Sequence, residues 1–443
     1  MKFIQTAGLI IISGLFALSC VNDTNNEASG RFTVTLENTS PVYDLVKSGS
    51  FAVPAGASDP APIFPGEAYE FEFTAPAGSR LTFATMFVQS NDWIYATDEE
   101  GVALFNEDGS KVTGDITSQV DLYDAGTEAD QEPGTGSDQA PRQTGPDTGA
   151  DDPDSSVREV SDNGLPADSE VIKVTITDTG GYGFKVRIEN VSDGNTLQTS
   201  EGSVAVPLSP GVFAVHGDDL NSVLFELGSD DYGDGLESIA EDGDPSTLAS
   251  SLEERTGVTT PLAPGAFAIF RVAGENPLFT AGAPAPGNGL EEMAEDGDPS
   301  VLGSGLGGYD NVSISGVFNT PDGASGPGPI FPGQSYSFTF EAEEGDLLTF
   351  GTMYVQSNDL FYAPQSAYLE LFQNGNPLNG DITSQIILWD AGTEINQEPG
   401  IGSDQAPRQA GPDTGAADQD NSVRPVSDNY DYEDAIKVTI SVQ

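Results

Sequence analysis

The sequence predicts an all-β protein: two antiparallel β-sandwich modules in tandem, with short helices in an insert of the second. Three observations predict it. First, a long block occurs twice. VQSNDWIYA (88–96), GDITSQVDLYDAGTEADQEPGTGSDQAPRQTGPDTGA (114–150) and VSDNGLPADSEVIKVTI (160–176) recur as VQSNDLFYA (355–363), GDITSQIILWDAGTEINQEPGIGSDQAPRQAGPDTGA (380–416) and VSDNYDYEDAIKVTI (426–440). The copies are offset by 267, 266 and 264 residues in turn, which makes the chain a two-copy array of one unit. Second, the apolar residues alternate, as in Tyr69-Phe71-Phe73 and Tyr336-Phe338-Phe340, the period of a half-buried strand. Third, 52 Gly and 30 Pro punctuate these runs, so turns are frequent, while 9% aromatics keep the chain out of the disordered class.

Taken in order, residues 1–19 read as an export signal: Lys2, then an apolar run from Ala7 to Leu18, too short for a comfortable membrane span. Ala17-Leu18-Ser19-Cys20 resembles the lipobox of bacterial lipoproteins, with Ala17 where a larger aliphatic residue is usual. The resemblance implies that Cys20, the only cysteine, carries a lipid anchor and that 20–30 is a polar tether. The expected location is the outer membrane, cell surface or periplasm, with the membrane reached through that anchor alone. The alternative is an ordinary signal cleaved nearby. A lone cysteine has no disulfide partner.

Module one is expected over 31–178, opening with the alternating strand FTVTLEN at Phe32. Module two is expected over 181–443, opening with the near copy FKVRIEN at Phe184. In each, Pro-Gly at 65–66 or 332–333 marks a turn between strands, and Ile172-Val174-Ile176 or Ile436-Val438-Ile440 closes the module. Strands at this spacing suit a β-sandwich. The modules differ in one place: 12 residues separate Asn38 from Phe51, whereas 127 separate Asn190 from Phe318. That insert holds its own 54-residue duplication, about 208–261 and 262–308, with LSPGVFAV repeated as LAPGAFAI and GLESIAEDGDPSTL as GLEEMAEDGDPSVL. Leu236, Ile239 and Ala240 have helical spacing. Gly243 reads as a helix stop, and Asp244-Pro245 as the start of a second short helix.

A net charge of −56, from 71 acidic and 15 basic residues, argues against a nucleic-acid partner. It leaves three sources for the acidity: a solvated surface, divalent cations, or a basic partner. Ser90-Asn91-Asp92 and Asp124-Ala-Gly-Thr-Glu128 each follow an apolar strand, and both recur, as Ser357-Asn358-Asp359 and Asp390-Ala-Gly-Thr-Glu394. Hard oxygen ligands from several loops at one sandwich edge are what Ca²⁺ takes. Turn-capping acids are the competing reading.

These motifs carry a second resemblance. Ser90-Asn91-Asp92-Trp93 is similar to the Ser-Pro-Asp-Trp of the spondin N-terminal domain family, and Trp389-Asp-Ala-Gly-Thr-Glu394 to its Trp-Asp-Ala-Gly-Thr-Asp. The segment from LSPGVFAVHG to AEDGDPSTL resembles the family's early region. The resemblance implies a C2-like sandwich and a Ca²⁺ site formed by Asp92, Asp124 and Glu128 in module one and by Asp359, Asp390 and Glu394 in module two. Glu stands where the family has its last Asp. The resemblance also makes module one a shortened copy that lacks the early region.

Weaker signals remain. Asp230-x-Tyr232-x-Asp234-Gly235-x₅-Glu241 approaches an EF-hand loop, but its repeat at Pro284 lacks two of the acids. His216, the only histidine, has Phe270 as its counterpart and reads as structural. No Gly-x-Ser-x-Gly elbow accompanies it. The Gly/Pro-rich loops carrying Arg142 and Arg408 are expected to fold back on the metal edge, with the arginine pairing to a carboxylate. The chain therefore reads as a binding or adhesion lipoprotein, not an enzyme, meeting an extracellular protein or glycan. The alternatives are a purely structural surface or matrix component and a hydrolase acting on an extracellular polymer.

Overall fold

The computed structural model describes residues 28–443 except 162–163, 428–429, 431 and 433. Cys20, the expected export signal at 1–19 and most of the expected tether lie outside the described residues. The chain forms antiparallel sheets with four short helices among the described residues: α1 (Leu236–Asp242), α2 (Ser246–Glu254), α3 (Leu290–Glu295) and α4 (Ser300–Leu306). The expected all-β sandwich fold is present, twice.

The division of the chain between the two sandwiches departs from the expected one. Strand Ser29–Asn38 lies between Ser335–Glu343 and Ile436–Val442, inside the second sandwich. Its near copy Gly183–Asn190 holds the same place in the first, between Ala68–Thr74 and Ile172–Gly180. The early segment is shared out in the same way. Leu208–Gly217 pairs with Leu45–Phe51 and Ser79–Phe87, whereas Leu262–Phe270 pairs with Val312–Phe318 and Leu347–Tyr354. One domain, 45–256, is thus inserted into another, formed by 29–38 and 262–443. The parallel bridge between Leu45 and Thr256 closes the inserted, or inner, domain. The boundaries 31–178 and 181–443 are corrected accordingly. The inner domain is not shortened; it is a circular permutant of the outer one. The 54-residue duplication is not nested in module two, because it supplies one early segment and one helix pair to each domain.

The physical reason is local. Ile172–Gly180 and Gly183–Asn190 are joined by a tight turn through Gly180 and Gly181, both at positive φ. Such a hairpin closes at little entropic cost, so the second strand of the pair stays with its neighbour. Ser29–Asn38 takes the matching position beside Ile436–Val442.

Each domain has three layers. In the inner one, a four-stranded and a larger sheet enclose Phe51, Phe71, Phe83, Phe184 and Phe213. The other face of the larger sheet is covered by α1 and α2, through Leu236, Ile239, Leu248 and Leu252 against Ala84, Ile94 and Tyr123. The outer domain repeats this with α3 and α4. Strand Ser79–Phe87 is therefore buried on both faces. Gly243, at φ 66, ends α1 as expected.

Asn38 and Asn190 pin equivalent strand ends. Asn190 Nδ2 donates to the carbonyls of Ile63 and Val206, both at 2.9 Å, and Asn38 Nδ2 to those of Thr260 and Ile330, also at 2.9 Å. The two linkers touch where Tyr43 N donates to Thr259 Oγ1, and the domains meet beside them, where Lys47 pairs with Glu398 at 2.7 Å and the Tyr182 hydroxyl bonds to Ser403 Oγ at 2.8 Å.

Candidate metal centre

The turn Ser90-Asn91-Asp92 joins two strands of the larger inner sheet. Ser90 Oγ closes it, donating to the Phe87 carbonyl and accepting from Trp93 N at 3.0 Å. Asp92 is fully buried. Its Oδ2 accepts from the backbone N–H groups of Thr127 (2.7 Å) and Glu128 (3.0 Å), so one carboxylate fastens the Asp124–Glu128 turn to its own. Its Oδ1 is buried and has no partner. Asp124 faces Trp93 across the strand pair. Asp124 Oδ1 accepts from Gly126 N at 2.8 Å, and its Oδ2 meets Arg158 Nη2 at 2.5 Å. Gly126 is required here: at φ 71, any Cβ would lie 2.7 Å from the Ser155 backbone.

Glu128 points elsewhere. Its Oε2 accepts from Asn91 Nδ2 at 3.1 Å and its Oε1 from Gly149 N at 2.6 Å. The structure brings Asp92 and Asp124 together with Asp130, their nearest oxygens within 4.8 Å of one another, and groups Glu128 with Asp147 and Glu241 at the same spacing. The expected trio is therefore two adjoining groups joined through the Asp92-to-Glu128 backbone bond. Glu241, from α1, is the residue that sequence reasoning passed over as a ligand. It is the last position of the EF-hand-like run, but it turns towards Glu128 and Asp147, and that loop does not form as a metal site.

The outer domain repeats the plan. Asp359 Oδ2 accepts from Thr393 N (2.8 Å) and Glu394 N (3.1 Å), and its Oδ1 is buried without a partner. Asp390 accepts from Gly392 N at 2.6 Å and meets Arg424 at 2.8 Å. Glu394 accepts from Asn358 Nδ2 and Gly415 N. Glu295, from α3, groups with Glu291 and Asp413, and its Oε1 is buried without a partner.

These eight acids (Asp92, Asp124, Glu128 and Glu241, with Asp359, Asp390, Glu394 and Glu295) are each at most 3% exposed. Among the described residues, the basic groups paired with them are Arg158 and Arg424, one per domain. Burying charge without a partner is costly, so the ionised forms are disfavoured. Burial pushes Asp92 up to about 6. It pushes Glu241 and Glu295 up to about 8, with the charges of Glu128 and Glu394 acting in the same direction. Asp124, Asp359 and Asp390 are raised as well, by burial first.

The Gly/Pro-rich loops fold back on this edge, as expected. Gly149 N reaches Glu128, and Gln143 Nε2 reaches Asp242 Oδ1 at 2.6 Å. Their arginines do not pair with carboxylates. Arg142 donates to the Gly136 carbonyl and to Gln89 and Gln139, and Arg408 to Gly402, Gln356 and Gln405. The arginine at the acids is Arg158, which also holds Asp152 at 2.6 Å. His216 is structural: its Nδ1–H donates to the Gly217 carbonyl, which leaves Nε2 to accept from Thr82 Oγ1 at 2.9 Å.

The donor set is all hard oxygen with no histidine or cysteine among its members, which suits Ca²⁺ or Mg²⁺ over Zn²⁺ or Cu²⁺. The unpartnered Oδ1 atoms of Asp92 and Asp359 and Oε1 of Glu295 fit a cation in the same way, because buried oxygens are seldom left without a partner. No protein-family model and no curated protein matches this chain.

Proposed function

We propose that this chain is an exported lipoprotein for binding or adhesion, built from two spondin-like domains that Ca²⁺ stabilises. One observation carries the metal reading: each domain buries four carboxylates against a single arginine, with carboxylate oxygens left unpartnered. Divalent-cation binding would supply the missing positive charge, at the group that holds Asp92 and Asp124 and at the adjoining group that holds Glu128 and Glu241 in the inner domain, with Asp359, Asp390, Glu394 and Glu295 as the outer counterparts. It would tie three chain segments at one edge of each sandwich: the Ser-Asn-Asp turn, the Asp-Ala-Gly-Thr-Glu turn with its long loop, and the first helix. The ordered loops would then present the face that meets an extracellular protein or glycan. Anchoring through Cys20 belongs to this proposal. No helix among the described residues is long and apolar enough to cross a membrane.

A second reading makes the chain a structural surface component whose buried acids are held protonated. The upward shift of Glu241 and Glu295 to about 8 favours it. Thermal melting with calcium and with chelator separates the two. The metal reading expects calcium to raise the melting temperature, and Asp124→Asn with Asp390→Asn to abolish the gain. Melting of the unaltered protein that is indifferent to calcium and chelator would sink it.

A further inference from the structure

The charge beside the buried aspartates differs between the two domains. The copies read Thr127-Glu128-Ala129-Asp130 in the inner domain and Thr393-Glu394-Ile395-Asn396 in the outer. Asp130 brings a third carboxylate within 4.8 Å of Asp92 and Asp124. Asn396, at the same place, turns its amide inward and donates Nδ2 to Asp390 Oδ2 at 2.9 Å. One domain therefore offers an oxygen ligand and a negative charge where the other offers an N–H group that already occupies a ligand oxygen.

We infer that the inner domain holds a high-affinity divalent-cation site at Asp92, Asp124 and Asp130, and that the outer domain's Asp359, Asp390 and Asn396 form a weaker one. The inference rests on the metal reading above and adds Asp130, which that reading does not use. Two observations besides the clustering of acids carry it. Asp92 is fully buried, and its Oδ1 has no partner while its Oδ2 is fully engaged, so a free ligand atom belongs to the group. A cavity of about 570 Å³ opens beside the group, lined by Trp93, Asp124, Asp130, Glu132, Arg158 and Glu159. It gives the ion an entry path and room for water among the six to eight oxygen ligands that Ca²⁺ takes. At the matching outer positions Leu360 replaces Trp93, Pro425 replaces Glu159, and Glu398, the counterpart of Glu132, is taken by Lys47. The outer site thus has one fewer carboxylate at the ion and fewer acids on the approach. Calcium affinity follows ligand charge and number, so one carboxylate is worth about tenfold or more.

Calorimetric titration of the full chain with calcium chloride tests this. The expected isotherm has two classes of site, separated by about tenfold or more in affinity. Asp130→Asn should merge the tight class into the weak one, and Asn396→Asp should tighten the weak class by about the same factor. Asn is already accommodated at this position in the outer domain, and melting in chelator checks that each variant is folded. Equal affinities in the unaltered protein, or an unchanged tight class in Asp130→Asn, would overturn the inference and leave the general metal reading standing. Absence of binding by the unaltered chain would remove both, and would do so before any variant is made.

Discussion

Asp92 shows how one side chain sets the chemistry of this edge. One oxygen organises a turn through backbone N–H groups, and the other is buried and unused. Together with Glu241 and their outer counterparts, it makes stability depend on pH with a definite sign. An acid whose pKa is raised on folding binds more protons folded than unfolded between its ordinary value and its raised one. Its stabilising contribution is complete below the ordinary carboxylate range and is lost as pH rises through about 6 for Asp92 and about 8 for Glu241 and Glu295. In chelator, the melting temperature should fall by about 5 °C or more from about pH 5 to about pH 8.5. With calcium, the gain over chelator should widen across the same range, because protons and the ion compete for the same oxygens. A calcium gain largest at acid pH would contradict this. Sequence reasoning found Asp92, Asp124 and Glu128 because they recur in motifs, and it missed Asp130 for the same reason: Asp130 has no acidic counterpart in the second copy. Glu241 recurs at Glu295, but it sits 113 positions beyond Glu128 in the chain, and nothing local ties a helix residue to a distant turn.

At the scale of elements, the long loop matters through a contact between backbone and side chain. Gly149 N donates to Glu128 at 2.6 Å, and a Cβ there would lie 2.2 Å from the Glu128 carboxyl carbon. Gly415 is held against Glu394 in the same way. Glycine is required by this close approach, not by an unusual backbone angle. Gly149→Ala should push the loop off Glu128 and weaken calcium binding in the inner domain by about tenfold. The fold should survive, because the loop contributes little to the core clusters; near-ultraviolet circular dichroism and titration together check both halves. Unchanged affinity would mean that the loop does not position Glu128. The helices teach a related lesson. Their spacing and their Gly243 stop were legible in the sequence, but the sheet face they cover was not. Burial on a strand's second face depends on what packs there.

For the whole molecule, the inserted arrangement predicts which fragments fold. Residues 45–256 contain every strand and helix of the inner domain and should fold alone, with dispersed amide spectra and a cooperative melt. A fragment spanning 31–178 should not. It lacks Gly183–Asn190 and Leu208–Gly217, both interior strands of the inner sheets, and exposes unpaired edges on either side of the gaps. A folded 31–178 fragment would refute the insertion. Two linkers, 39–44 and 257–261, carry the chain into and out of the inner domain. The outer domain is complete only after its last strand joins its first, more than 390 residues away in sequence. Its folding is expected to be the slower event, since distant strands pay more loop-closure entropy.

By itself, the sequence determined the number of units, their β-sandwich class, the two acid-bearing turns and the structural role of His216, because repetition, alternation and turn residues are local signals. Tertiary structure decided which copy of each early strand belongs to which sandwich, which acids share a pocket and which arginine faces them. The two candidate strands FTVTLEN and FKVRIEN are nearly identical, so composition cannot assign them. A tight glycine turn can, because it keeps the second strand with its neighbour and leaves the first to complete a sheet at the far end of the chain.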